Sequence, residues 1–384
     1  MKRKLYFHIG VHRTGTTTIQ HLLHKNSEQL LAQGYRFAFG RKNHTGLGWK
    51  ISRGKLSPEK FINDLIADAD QTRCQSMVIS GEDFCTIKKV MPLKPLSEHF
   101  DVRIICYLRR QDLWLESWYN QHIRWPWNKE FSVFSAEQFY ARRHDFHWID
   151  YEKTLDRWSL VFGMERMIVR VFEPQQMAIP LENDFCQICA IKIEHLTLTN
   201  KQENVSIRPA ALEFLRYLKL FNKDVPKRSL LVKSVSRAFH KASMDIEEHI
   251  FSEQRRLAIL KEYESSNLQL AQRYLGREDG KLFLEPFPIN DPKAPALGLP
   301  QVSELCEKIV VPLVKELLQR IERHDNSAAQ SRQRDAKLIK LDEENDVLFA
   351  RIRTLRSVAD SPNALLKHLA NKMLPTFFKS QTDA

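Results

Sequence analysis

The sequence lacks any apolar run long enough to span a bilayer, which takes about 20 consecutive apolar residues. It also lacks a recognisable secretory leader. Residues 2–4 supply positive charge, but the apolar run behind them breaks at His8 and Gly10 and is too short for a leader. These two absences argue against a secreted or membrane-spanning protein, and we expect a cytoplasmic one.

Cysteine is scarce and scattered, with six residues in a chain of 384. Only Cys186 and Cys189 have the Cys-x-x-Cys spacing of half a metal site. Neither a second pair nor a nearby histidine completes it. The pattern argues against a bound metal and predicts two reduced thiols on one helix.

Negative charge is in deficit. Lys and Arg total 59 against 47 Asp and Glu, which gives a net charge of +12. Such a charge favours an anionic partner, but it does not choose between a nucleotide, an acidic glycan, nucleic acid and an anionic membrane face. With 43% hydrophobic residues, the chain can bury a large core, and we expect one large α/β domain with helical additions.

The most informative stretch lies near the start of the chain. An apolar run at Leu5–Ile9 predicts a buried strand, and apolar residues at helical spacing begin at Ile19. Between them lies a loop bounded by Gly10 and Gly15. Four hydroxyl groups occupy the loop and the first helical turn, those of Thr14, Thr16, Thr17 and Thr18. A unit of this kind points backbone N–H groups and the positive end of a helix at a phosphate.

The spacing of Gly10 and Gly15 matches a Walker A loop, but the residues that follow do not. A Walker A loop needs Lys and then Ser or Thr directly after its second glycine. Thr16 and Thr17 stand there instead, and the cation, Arg13, precedes Gly15 by two residues. This departure argues against an ATP-dependent small-molecule kinase. A capped strand–helix turn without a ligand is the plainer alternative.

Further strands alternate with helices along the chain. Apolar runs predict strands at 35–39, 77–79, 102–108 and 167–172. Helical spacing predicts helices at 58–69, 111–122 and 151–162. Alternation of this kind predicts a parallel, doubly wound sheet, in which ligands bind at the carboxyl ends of the strands.

A second polar cluster follows the strand at 102–108. Arg109 stands at the strand end, and Ser117 lies eight residues later on the next helix. Arginine offers phosphate a bidentate, charge-assisted contact, and serine offers a further donor. We expect the adjacent Arg110 to be a solvated neighbour. An arginine and a serine on a surface helix are the alternative explanation.

Together the two clusters resemble the sulfotransferases that use 3′-phosphoadenosine 5′-phosphosulfate (PAPS), in particular the bacterial carbohydrate-type enzymes. Their phosphosulfate loop usually has the form Pro-Lys-(Ser/Thr)-Gly-Thr-Thr, and residues 12–17 of this chain are His-Arg-Thr-Gly-Thr-Thr. The resemblance covers roughly residues 4–290. It implies a P-loop-NTPase-like sheet. It also implies that residues 13–18 hold the 5′-phosphosulfate, and that Arg109 and Ser117 hold the 3′-phosphate.

The resemblance implies sulfuryl transfer, in which a protein mainly positions the reactants and stabilises charge. Arg13 and the loop hydroxyls would hold the leaving phosphate, and a carboxylate or histidine would take the acceptor's proton. Glu82, at the end of the strand at 77–79, is the first candidate for this base, and His44 is the second. A solvated turn carboxylate is the alternative for Glu82. His8 alternates within its strand and is assigned to structure, and no metal is required.

Aromatic and basic residues alternate after the helix at 111–122. Residues 124–129 are Arg-Trp-Pro-Trp-Asn-Lys, and His147 and Trp148 follow. Aromatic faces suit stacking on a sugar and cations suit acidic groups, although a packed aromatic loop explains the same residues. We therefore predict sulfation of a hydroxyl on a saccharide or glycolipid, with no nucleic acid partner. A basic nucleotide- or nucleic-acid-binding protein without catalytic activity is the alternative.

Five prolines between residues 286 and 300 predict a linker. It separates an α/β domain at 1–285 from a helical extension at 301–384. Within the extension a short heptad seam is compatible with a homodimer through the C-terminal helices; its positions are Leu338, Leu341, Asn345, Leu348, Ile352 and Leu355. The apolar, lysine-bearing segment 365–378 suits peripheral membrane contact or, alternatively, docking as a terminal helix.

Overall fold

The computed structural model describes residues 2–198, 207–218, 228–241 and 249–289, with scattered positions between residues 308 and 353. The chain divides into two compact units, Met1–Ile309 and Val310–Ala384, and the elements below belong to the first. Residues 290–300 of the predicted linker, the heptad positions and the segment 365–378 lie outside the described residues. The domain boundaries, the homodimer and the membrane contact therefore stay predictions.

Five parallel strands form the sheet of the described residues, in the order β2-β3-β1-β4-β5. They are β1 (Arg3–Gly10), β2 (Tyr35–Phe37), β3 (Ser76–Ser80), β4 (Phe100–Leu108) and β5 (Met167–Val171). This confirms the predicted α/β fold with a parallel sheet flanked by helices. The second strand is shorter than predicted because the chain turns at Phe39, whose φ is 58°.

The first unit has thirteen α-helices within its described ranges. They are α1 (Thr16–Lys25), α2 (Ser27–Ala32), α3 (Leu47–Ser52), α4 (Pro58–Thr72), α5 (Leu96–His99), α6 (Gln111–Arg124), α7 (Ala136–Ala141), α8 (Tyr151–Phe162), α9 (Leu181–Cys189), α10 (Pro209–Tyr217), α11 (Arg228–Lys241), α12 (Glu253–Glu262) and α13 (Glu264–Leu275). The predicted helix at 151–162 is α8, which ends at Gly163 with φ 94°. None of the helices in the described part of the chain is long and apolar enough to cross a bilayer.

The central strands are buried on both faces, which is why their sequences are apolar runs and not alternating patterns. On one face Tyr6 belongs to a core shared with α1 and α9. On the other face Phe7 meets Phe61 of α4 and Trp158 of α8, at ring-centroid distances of 6.3 and 5.3 Å. The helices thus cover both sides of the sheet and leave its strand ends available for a site.

The strand order fixes where a ligand can bind. The chain leaves β1 toward the β2 edge of the sheet, whereas it leaves β4 toward β5 on the other side. The order therefore reverses between β1 and β4, and a crevice forms outside the carboxyl ends of these neighbours. β1 ends at Gly10 and β4 at Leu108. The two polar clusters of the sequence consequently lie side by side.

Arg110 is not a solvated neighbour, and that expectation was wrong. Its side chain is buried and pairs with Asp112 at 2.8 Å, and it donates to the carbonyl oxygen of Pro286 at 2.9 Å. Asp112 also pairs with Arg256 of α12 at 3.0 Å. These partners come together only in the fold. Through its ion pair with Arg256, the fully buried Asp112 thus connects α12 to the junction between β4 and α6.

Asp112→Ala tests this connection. The variant removes the carboxylate that the buried guanidinium groups of Arg110 and Arg256 share. The free energy of unfolding should therefore fall by about 3–5 kcal/mol. Urea denaturation followed by circular dichroism measures the loss. As a control, Asp64→Ala removes the exposed partner of Lys60 and should cost less than about 0.5 kcal/mol. Similar small losses in both variants would contradict the role of Asp112.

Candidate active site

The loop between β1 and α1 is held against β4 and α6. The Val11 N–H donates to the carbonyl oxygen of Tyr107 at 3.1 Å. The indole N–H of the fully buried Trp114 donates to the carbonyl oxygen of His12 at 2.8 Å. These two bonds place the loop backbone at the carboxyl end of β4, beside the first turn of α6.

Two glycines allow the loop to turn. Gly10 has φ 109°, and a Cβ atom there would lie 2.8 Å from the carbonyl oxygen of Glu82. Gly15 has φ 79° and is the N-cap of α1. Only glycine adopts such conformations at low cost. The loop therefore touches the turn after β3 at one end, and at the other end it presents the free N–H groups of the first turn of α1.

The threonines of the loop differ in their availability to a ligand. Thr14 is buried, and its hydroxyl donates to the carbonyl oxygen of Val11 at 2.7 Å, so it shapes the loop. Thr16 is also buried, but its hydroxyl has no hydrogen-bond partner within the described ranges. Thr17 and Thr18 are half-buried. Because an unpaired buried hydroxyl is costly, Thr16 gains most from a polar ligand.

Arg13 joins the two polar clusters of the sequence. Its Nε donates to Ser117 Oγ at 2.7 Å and its Nη1 to Gln121 Oε1 at 2.8 Å. Nη1 of Arg109 donates to the carbonyl oxygen of Arg13 at 3.3 Å. The structure thus brings Arg13, Arg109 and Ser117 into one group. Sequence analysis missed Gln121, although its place one helical turn after Ser117 was an available signal.

Arg13 and Arg109 create an excess of positive charge. Burial lowers the pKa of Arg13 to about 10, with Glu82 acting against this shift and Arg109 adding to it. Burial also lowers the pKa of Arg109. Neither guanidinium forms an ion pair with a carboxylate among the described residues. Both groups stay charged at neutral pH, so this position favours an anion.

Glu82 lies beside this loop. It begins the short 3₁₀ turn Glu82–Thr86 after β3 and lines a large cavity among the described residues. Burial raises the pKa of its carboxyl to about 7, and the nearby Arg13 acts against this shift. A carboxyl group with a pKa near neutrality can both take up and release a proton at physiological pH.

His44 lies in the core and does not line this cavity. Its Nδ1 accepts the Ser80 N–H at 3.1 Å, which leaves Nε2 to donate to the carbonyl oxygen of Ala38 at 2.9 Å. Burial lowers its pKa to about 4, so the ring is neutral at pH 7. With both nitrogens engaged, the geometry favours a structural role. His8 is likewise buried, with its Nδ1 2.8 Å from Ser80 Oγ.

The cavity beside Glu82 and Gln121 has a volume of about 1320 Å³. Six aromatic side chains line it, namely Trp49, Trp118, Trp127, Phe131, Phe146 and Trp148. Trp127 is 49% exposed, whereas Trp118 and Trp148 are each only 4% exposed. The aromatic lining therefore extends from the rim into the interior. Two of the aromatic residues singled out in the sequence, Trp127 and Trp148, lie in the same cavity as Glu82.

Sequence analysis also missed Asp83. It is buried, and its Oδ2 accepts the N–H of Trp49 in the first turn of α3 at 3.1 Å. Its Oδ1 has no partner within the described ranges. A carboxylate in this position stabilises the amino end of a helix. Asp83 thus orients α3 and the Trp49 side chain that lines the cavity.

The cysteine pair behaves as the sequence predicted. Cys186 and Cys189 lie on α9 as buried free thiols. Burial raises the pKa of both, which keeps them protonated at neutral pH. A search of the described residues finds no group of three or more His, Cys, Asp or Glu side chains that could hold a metal ion.

Comparison with known proteins gives distant similarities. No family model matches the sequence. A 208-residue stretch is 25% identical to an uncharacterized protein of Archaeoglobus fulgidus and spans 53% of this chain and 55% of that protein, about half of each. A solved sulfotransferase from Alicyclobacillus acidocaldarius is similar over 62% of this chain and 100% of its own, with 15% identity and a TM-score of 0.35. Neither similarity assigns the chain to a family.

Proposed function

We propose that this protein transfers a sulfuryl group from PAPS to a hydroxyl of a saccharide or glycolipid. The observation that carries the proposal is the convergence of Arg13, Arg109 and Ser117 at the carboxyl ends of β1 and β4. Gln121, which accepts a hydrogen bond from Arg13, also lines the aromatic cavity. An anionic donor and a hydroxylated acceptor can therefore meet where the cationic crevice adjoins the cavity.

The residues present fit a nucleotide that carries anionic groups at its 3′ and 5′ positions. Arg109 and Ser117 offer a cation and a hydroxyl to the 3′-phosphate. Arg13 and the N–H groups at the start of α1 suit the 5′-phosphosulfate. The buried, unpaired hydroxyl of Thr16 supports this fit because an anion would give it a partner. Thr14 contributes through the shape of the loop, since its proton is already donated to the backbone.

When bound, PAPS supplies a sulfuryl group activated by its bond to phosphate. Glu82, in its ionised form, takes the proton of the acceptor hydroxyl as the oxygen attacks sulfur. Arg13 stabilises the negative charge that develops on the phosphate as its bond to sulfur breaks. Glu82 thus acts on the attacking oxygen and Arg13 on the leaving phosphate of the same transfer. The indole faces of the cavity orient the acceptor between the two residues.

The donor site is tested by calorimetric titration with 3′-phosphoadenosine 5′-phosphate (PAP). Arg109→Ala should weaken PAP binding about 10- to 100-fold, because a hydrogen bond to a charged group contributes about 1.5–3 kcal/mol. Ser117→Ala removes one hydroxyl contact to the phosphate and also the acceptor of Arg13 Nε, so it should weaken binding at least about fivefold. Arg170→Ala is the control: it removes an exposed arginine on β5 and should leave the affinity unchanged.

The same titration distinguishes a PAPS-dependent enzyme from an ATP-dependent kinase and from a nucleic-acid-binding protein. The wild-type protein should prefer PAP to both 5′-AMP and ATP, since only PAP has a phosphate for Arg109 and Ser117. Equal binding of ATP, or an absence of PAP binding, would contradict the proposal. Salt-sensitive binding of nucleic acid that survives Arg109→Ala would instead favour a nucleic-acid-binding protein.

The role of Glu82 is tested by its titration. The infrared difference between wild type and Glu82→Gln should show a protonated carboxyl that disappears with a midpoint near pH 7, because burial raises the pKa to about 7. Sulfuryl transfer should increase through the same pH range and then level off, since only the ionised carboxylate accepts a proton.

Glu82→Gln should lower kcat about 10²- to 10⁴-fold, the usual contribution of a general base. PAP affinity should be retained, because the variant removes no contact to the nucleotide. Glu98→Gln alters an exposed glutamate away from the cavity and serves as the matched control. A kcat that Glu82→Gln leaves at the level of Glu98→Gln would exclude Glu82 as the base.

A further inference from the structure

Three cations at the cavity rim have no carboxylate partner. Arg53, Lys88 and Lys89 line the cavity, and none forms an ion pair among the described residues. All three are exposed. The Arg53 guanidinium lies over the ring of Trp49, 4.9 Å from its centroid. Positive charge therefore borders an aromatic surface at the entrance.

One contact joins the two segments that carry these cations. Ser52 Oγ lies 3.3 Å from Thr86 Oγ1, which joins the end of α3 to the end of the turn that begins at Glu82. Arg53 directly follows Ser52, and Lys88 follows Thr86 by two residues. The rim cations therefore lie on segments joined at the end of the turn that begins with the candidate base.

The acidic residues of the cavity do not neutralise this rim. Asp145 pairs with Arg142 at 2.6 Å. Asp83 accepts the N–H of Trp49 at the start of α3. Glu82 is the candidate base, and Arg13 is the cation that acts on the pKa of its carboxyl. The rim thus keeps its positive charge for a ligand.

The interior of the cavity is different in character. His122, Trp118 and Trp148 are nearly fully buried, and their ring nitrogens have no hydrogen-bond partner among the described residues. Burial lowers the pKa of His122 to about 3, so its ring is neutral at pH 7. Such a lining can bond to hydroxyl or amide oxygens but offers no counter-charge to a buried ion.

We infer that the acceptor is an acidic oligosaccharide, in which an uncharged ring enters the aromatic interior while a carboxylate or other anionic group on the neighbouring ring binds at Arg53, Lys88 and Lys89. The inference rests on the proposed function and names its substrate class. A bond forms between an oxygen of the uncharged ring and sulfur, the bond between sulfur and the phosphate oxygen breaks, and the proton passes to Glu82. The charged neighbouring ring determines which ring of the oligosaccharide enters the cavity, because complementary charges across an interface fix the register of the bound chain.

Calorimetric titration of the full chain with two tetrasaccharides tests the inference. Hyaluronan tetrasaccharide alternates uncharged N-acetylglucosamine with glucuronate, and cellotetraose is a neutral chain of the same length. Hyaluronan should bind about tenfold more tightly, since each exposed ion pair contributes up to about 1 kcal/mol. The preference should shrink as salt is added, because exposed charges are screened.

The double variant Lys88→Glu, Lys89→Glu should abolish the preference for hyaluronan and leave the affinity for cellotetraose unchanged. Lys94→Glu is the matched control, since Lys94 is exposed on the segment that follows and does not line the cavity. It should leave both affinities unchanged. Equal binding of the two sugars by the wild type, or loss of the preference in both variants, overturns the inference.

PAP affinity measured on the same samples separates this inference from the donor proposal. A wild-type protein that binds PAP but does not prefer hyaluronan overturns the acidic acceptor and leaves the donor site standing. A protein that prefers hyaluronan through Lys88 and Lys89 without binding PAP supports the saccharide site and overturns the sulfuryl donor.

Discussion

The parallel pairing of β1 with β4 is the constraint on which the candidate site depends. The two strands pair from Arg3 opposite Phe100 onward, and the register shifts only between His8 and Gly10, just before the loop. Because neighbouring parallel strands end at the same edge of a sheet, the loops that follow them meet. Arg13 and Arg109, 96 residues apart in the sequence, thereby come within hydrogen-bond distance.

The fork of Arg13 is matched by two acceptors on α6. A guanidinium presents several donors in a rigid plane, whereas an ammonium is a compact point charge. Ser117 and Gln121, one helical turn apart, accept from Nε and Nη1 of Arg13 at 2.7 and 2.8 Å. Arg13 also has φ 68°, an uncommon conformation for a residue other than glycine. The two donors of Arg13 thus each have an acceptor on the facing helix, which the single ammonium of a lysine would not match in the same way.

Local patterns predicted those features that depend on neighbours along the chain. Apolar runs located all five strands, and their alternation with helices placed the loop of Arg13 and the cluster of Arg109 at the carboxyl ends of strands. That these two strands are neighbours follows from the strand order of the structure. Features that depend on distant partners were not predictable in this way. His44 is a core residue because the fold brings it against Ser80, and Arg110 is buried where the fold brings the carbonyl oxygens of Glu285 and Pro286 against it. The rim cations likewise gain their arrangement from a contact between two separate segments.

The adjacent guanidinium groups of Arg13 and Arg109 also have a kinetic consequence. Each is desolvated, and among the described residues neither forms an ion pair with a carboxylate, although the charges of Glu82 and Glu116 act in part against the loss of solvent. Under the function proposed above, a doubly phosphorylated nucleotide would relieve the repulsion between the two guanidinium groups, and the spent nucleotide would retain both phosphates after the sulfuryl group has gone. Its residence time would then be long compared with the chemical step, and product release would limit turnover, as in many enzymes. The same two charges would thus govern both the binding of the donor and the release of the product.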